Sequence, residues 1–108
     1  MTKKYGNPFE CYEAIGAWLT EAVPEPWDRI EVDFEIIEID DVSDYSIVYF
    51  TKKAPNKERQ FFIDHTHFTD AFFQLARLAS DPEKGLFKKC QFVLNHDGRY
   101  KVNFEYET

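Results

Sequence analysis

The chain has 108 residues and a formal net charge of −7, enough length for one domain with a single real core and not for two. Phe, Tyr and Trp are abundant (11, 6 and 2 residues), so the interior should be aromatic-rich; no stretch approaches the roughly 20 apolar residues of a membrane span, and no apolar segment follows Lys3 and Lys4 as a signal peptide requires. The charge is lopsided: residues 10–45 hold 12 acids and one base, Arg29, while the rest holds 8 acids and 12 bases, which argues against a nucleic-acid binder, which needs a basic footprint, and favours a basic partner.

The segment "NPFECYEAIGAWLTEAVP" opens with helix-start grammar: Asn7 as N-cap, Pro8 at the first helical position and Glu10 closing a capping box. Phe9, Tyr12, Ile15, Gly16, Leu19 and Val23 form an apolar stripe at helical spacing, and Pro24 and Pro26 end the helix. Trp27 leads into a strand over about 29–39, in which Ile30, Val32, Phe34 and Ile36 alternate with Glu31, Asp33 and Glu35. The alternation slips at Ile36–Ile37, so either a bulge sits there or both faces become covered. After the acidic turn "DDVSD", "YSIVYFTK" (45–52) reads as the hairpin partner, and "QFFID" (60–64) as a third short strand.

A second helix is expected in "HTHFTDAFFQLARLASDPEKG", with Thr66 as N-cap, Phe68, Ala71, Phe72, Leu75, Leu78 and Ala79 inward, and Pro82 as its stop. "KKCQFVLN" and "RYKVNFEYE" are strands flanking "HDG", whose Asp97-Gly98 is a tight-turn signal. In the last strand Tyr100, Val102, Phe104 and Tyr106 alternate with Lys101, Asn103 and Glu105, so one face meets water. The order α-β-β-(β)-α-β-β gives one α+β domain over residues 1–108: a mostly antiparallel sheet of four or five strands with two helices on one face.

Cys11 and Cys90, the only cysteines, fall on the first helix and in a strand and form no CxxC, so they read as two buried thiols in a reducing cytoplasm. His65 and His67, with Asp64 or Asp70, have the spacing of a metal-ligand set, but they sit at a strand-to-helix junction where polar residues commonly cap. No Gly-rich phosphate loop and no GxSxG nucleophile motif is present, and the carboxylates are clustered as on a surface, not in a pocket. The expectation is a protein without catalytic residues, metal or cofactor; the alternative is a small metal-dependent enzyme or ligand-binding domain centred on His65 and His67, or an adaptor subunit.

The acids of the first strand and its turn are the feature in search of a reason. Glu31, Asp33, Glu35, Glu38, Asp40, Asp41 and Asp44 repel one another, and Asp and Glu are poor strand formers. Most acidic stripes only keep a protein soluble. Here the stripe lies along what reads as one edge of the fold, fixed by a strand, nearly free of bases, and mixed with Trp27, Ile37, Ile39 and Tyr45. Trp27 and Tyr45 are the candidate aromatic anchors of an interface. Such a rigid array can imitate phosphates, meeting Lys and Arg of another protein and speeding the encounter.

The run "VPEPWDRIEVDFEI", with its Pro24-Glu25-Pro26-Trp27, and the tail "LNHDGRYKVNFEYE" resemble the YezG-like bacterial immunity proteins over about residues 12–107. In that family an amphipathic helix precedes a Pro-x-x-Trp segment and a charged alternating strand. A Gly-containing turn and an aromatic final strand close it; the extra Pro26 and the short connection before the second helix depart from its pattern. The resemblance implies a cytoplasmic antitoxin that binds a cognate toxin domain, basic and often a nuclease, of a polymorphic or contact-dependent growth-inhibition system, with no catalytic residues to assign. The oligomeric state is left open.

Overall fold

The computed structural model describes residues 4–63 and 66–106. Its elements are α1 (Pro8–Ala22), β1 (Arg29–Glu38), β2 (Val42–Phe50), β3 (Arg59–Gln60), α2 (Thr66–Leu78), β4 (Phe87–Asn95) and β5 (Tyr100–Tyr106). This is the expected α+β chain. The five strands form one antiparallel sheet in the order β3-β2-β1-β4-β5. The acidic strand β1 is therefore central, not the edge that its charge suggested, and both of its neighbours contribute to whatever its outward side chains build.

Local chemistry explains where the elements start and stop. The Asn7 side chain accepts a hydrogen bond from the Glu10 backbone N–H at 3.0 Å, and its own amide donates to Glu10 Oε2 at 3.2 Å, so one of the orphan donors of α1 is satisfied. Thr66, expected as an N-cap, is itself the first residue of α2; Asp64 and His65 before it lie outside the described residues. Of the two readings of Ile36–Ile37, the bulge is the one present, as a register shift between Ile36 and Glu38. Because Glu38 then pairs with Val42, the hairpin turn is only Ile39–Asp41 and β2 begins three residues earlier than its sequence indicated. Asp97-Gly98 makes the expected turn, with Gly98 at φ 89° and its N–H donating to the Asn95 carbonyl at 3.0 Å.

Period two divides each strand into a dry side and a wet side. Ile30, Val32, Phe34 and Ile36 of β1 are buried with Ile47 and Tyr49 of β2 and Cys90, Phe92 and Leu94 of β4. The helices close this face with Cys11, Ile15 and Leu19 from α1 and Phe68, Ala71, Phe72, Phe73, Leu75 and Ala76 from α2. Phe34 and Phe72 stack with centroids 4.3 Å apart, and Phe68 meets Phe72 edge-on at 5.5 Å. Each fully buried aromatic contributes about 1.5–3 kcal/mol through removal from water, with about 0.5–1.5 kcal/mol more from ring pairing.

Two side chains of the expected apolar faces turn outward. Phe9 is 64% exposed and rests edge-on against Tyr100, because the buried stripe of α1 is centred on Cys11, Ile15 and Leu19 at i, i+4 and i+8. Leu78, the last residue of α2, is also exposed. Among the described residues no helix is long and apolar enough to cross a membrane.

Candidate acidic docking surface

The side of the sheet opposite the helices carries the odd-numbered residues of β1, and each has a defined neighbour on both flanks. Glu31 lies between Val48 of β2 and Val93 of β4, and Val93 is opposite Lys101 of β5. Asp33 lies between Ser46 and Gln91, and Gln91 faces Asn103. Glu35 lies between Asp44 and Lys89, and Lys89 faces Glu105. No described element covers this side. The twist of the sheet and the short side chains of the middle row leave a hollow of about 650 Å³ lined by Asp33, Glu35, Asp44, Gln91, Asn103 and Glu105, among others.

The sequence-derived acids separate into three environments. Asp33, Glu35 and Asp44 meet at the hollow, where Glu105 joins them from β5. Glu31 shares their face one row away and is engaged by Arg29, whose Nε donates to Glu31 Oε2 at 2.8 Å while its guanidinium lies 4.1 Å over the Phe50 ring. Glu38, Asp40 and Asp41 belong to the hairpin tip. There Asp40 takes a left-handed conformation at φ 64° and accepts two hydrogen bonds from Arg77 of α2, one of 2.7 Å from Nη1. Those hydrogen bonds hold its carboxyl below the usual Asp range. Asp40 thus anchors the tip to α2, whereas Glu38 and Asp41 are exposed.

The side chains of the two aromatic candidates pack on the inner side, although Tyr45 also belongs to the lining of the hollow. Tyr45 follows the inward period of β2: it stacks on Phe34 and Phe62, packs on Phe68, and its hydroxyl donates to the Ile63 carbonyl at 2.7 Å. Trp27 is half-buried against the core, its ring steeply inclined to that of His96 with centroids 6.2 Å apart. Of the large side chains mixed with the acids, Ile37 in the bulge is the exposed one, at 53%, next to Val42 at 42%.

Sequence reasoning did not single out Ser46, Lys89, Gln91, Asn103 or Glu105. Their outward direction is written in the alternation of β2, β4 and β5, but their meeting beside Asp33 and Glu35 depends on strand order.

Elsewhere, His67 is half-buried and lines a hollow of about 250 Å³ with Tyr5, Trp18, Glu21 and Asp70; His65 lies outside the described residues. Among the described residues no three His, Cys, Asp or Glu side chains come together as a metal site. Cys11 and Cys90 are free, buried thiols, raised by burial to about 11 and about 12 respectively. No protein-family model matches the chain, and no curated protein matches it.

Proposed function

We propose that this chain is an immunity protein: a cytoplasmic antitoxin that binds a cognate bacterial toxin domain, a cationic nuclease above all, and neutralises it through its acidic surface. The observation that carries this reading is that β1 presents Glu31, Asp33 and Glu35 on a sheet face that no described element covers, with Asp44 and Glu105 joining from neighbouring strands. A nuclease is positively charged where it grips phosphates. A rigid set of carboxylates competes for that same surface, and its field accelerates the encounter. The resemblance to YezG-like immunity proteins supports the same conclusion, and the role is one of binding, not catalysis.

The test is co-expression with any candidate toxin domain encoded upstream or downstream of it, followed by co-purification and growth rescue. A stable complex should bury about 1,200–2,000 Å² in total. Toxicity that persists undiminished, with no complex recovered, rejects the reading. The alternative, a metal-dependent or ligand-binding domain, is favoured by the hollow that His67 and Asp70 line. Elemental analysis and a His65→Ala/His67→Ala double variant decide it: bound metal lost with the histidines would support it, and retained fold and partner binding in the variant, with no metal found, would remove it.

A further inference from the structure

The bare face of the sheet carries a conflict that the fold itself does not resolve. Glu35 and Asp44 are directly opposite each other on β1 and β2, and like charges in that position destabilise a sheet. Asp33 lies one row away and Glu105 lies beyond Lys89. None of these four carboxylates makes an ion pair or side-chain hydrogen bond among the described residues, where the ion pairs go to Glu25, Glu31, Asp40 and Asp97 instead. Lys89, flanked by Glu35 and Glu105, also makes no ion pair there. A local conflict retained on an exposed face marks a place where something outside the chain resolves it.

We infer that the hollow between β2, β1, β4 and β5 seats one cationic ridge of a protein partner, whose Lys or Arg side chains reach Asp33, Glu35 and Asp44. The hollow is open to solvent and has a volume of about 650 Å³. The polar floor of Ser46, Gln91 and Asn103 offers hydroxyl and amide acceptors to guanidinium N–H groups. At one end Ile37 and Val42 supply the exposed apolar rim that a stable contact needs, and at the other Val48 and Val93 flank Glu31. Lys89 is the one cation among the described residues that line the hollow, so it opposes a cationic ridge. The partner's identity as a toxin rests on the function proposed above; the location of the seat and the chemistry of its occupant do not.

Two variant pairs separate local docking from net charge. Asp33→Asn with Glu35→Gln empties the hollow of two carboxylates; Glu38→Gln with Asp41→Asn removes the same charge from the hairpin tip. Isotope-labelled protein is titrated with an oligoarginine peptide, followed by NMR, and the cognate toxin domain is titrated in parallel. For both ligands the hollow pair should lose about tenfold in affinity and the tip pair less than about threefold, while Lys89→Gln tightens binding by about threefold. Peptide-induced shifts should centre on the outward residues of β1, β2, β4 and β5. Equal losses from the two pairs, shifts centred on the tip or the helices, or weaker binding by Lys89→Gln would overturn the inference. Toxin binding that ignores the hollow pair defeats this seat but leaves the antitoxin reading standing. If no toxin domain binds wild type, the antitoxin reading fails and the peptide titration still decides the hollow.

Discussion

The two sides of β1 answer to different demands. Ile30, Val32, Phe34 and Ile36 are at most 8% exposed and lie under both helices, whereas Glu31, Asp33 and Glu35, on the same strand, meet no helix at all. One side supplies the free energy that holds the strand in place, and the other spends part of it on charge repulsion. The lesson is that the core fixes carboxylate positions that would otherwise drift apart, so the acidic face is rigid because its reverse is greasy. Substitutions on the two sides should therefore separate stability from binding.

The largest effect is expected on the dry side. Phe34→Ala removes the ring stacked on Phe72 and in contact with Tyr45 and Phe73, and should cost about 3–5 kcal/mol. That is a large share of the about 5–15 kcal/mol that stabilises a typical domain. Urea unfolding measures it; a loss under about 1 kcal/mol would mean that the aromatic cluster is not the source of rigidity. The same interior should silence both thiols. With Cys11 and Cys90 held at about 11 and about 12, neither should react with a thiol reagent at pH 8 until the protein is denatured. Because burial raises these values above the ordinary 9.0, their contribution to stability is complete below pH 9 and is lost as pH rises through about 11 and then about 12.

A smaller effect is expected where the sheet meets the segment before β1. Buried Tyr49 donates its hydroxyl to Glu25 Oε2 at 2.6 Å, and Arg59 donates to the same oxygen at 3.0 Å. The tyrosine hydrogen bond first, and Arg59 second, hold the Glu25 carboxyl below its ordinary 4.5. The associated stabilisation is present above pH 4.5 and disappears as pH falls through the lower, folded value. Tyr49→Phe should shallow the acid limb of a stability–pH curve, and an unchanged limb would show that other carboxylates set it. Smaller again is Arg77→Ala, which frees Asp40 and the hairpin tip. As a half-exposed ion pair it should cost about 0–1 kcal/mol and less in high salt.

Local features were legible in the sequence and non-local ones were not. The Asn7 cap, the Ile36–Ile37 slip and the Asp97-Gly98 turn each depend on residues a few positions apart. The direction of Tyr45 was also readable: period two places it with Ile47 and Tyr49, both buried, and its aromatic size drew attention away from that pattern. The neutralisation of Asp40 depends on Arg77, 37 residues distant. Glu105 reaches the hollow only because β4 lies between β1 and β5, and hydrophobic periodicity does not encode strand order.

The smallest expected change in stability is the one that bears most on function. Asp33→Asn with Glu35→Gln keeps side-chain shape, touches no hydrogen bond or ion pair among the described residues, and removes the repulsion between Glu35 and Asp44. Surface substitutions of this kind usually fall within about 0.5 kcal/mol of neutral, and here relief of the like-charge pair with Asp44 is offset by loss of the opposite-charge cross-strand pairing with Lys89, so the net change should stay inside that range. A pair that stays inside it yet binds a cationic partner less tightly would show that the acids serve binding and not the fold. A pair that melts lower by more than about 1 kcal/mol would instead assign the open face a structural duty, and the division between the two sides of β1 would no longer hold.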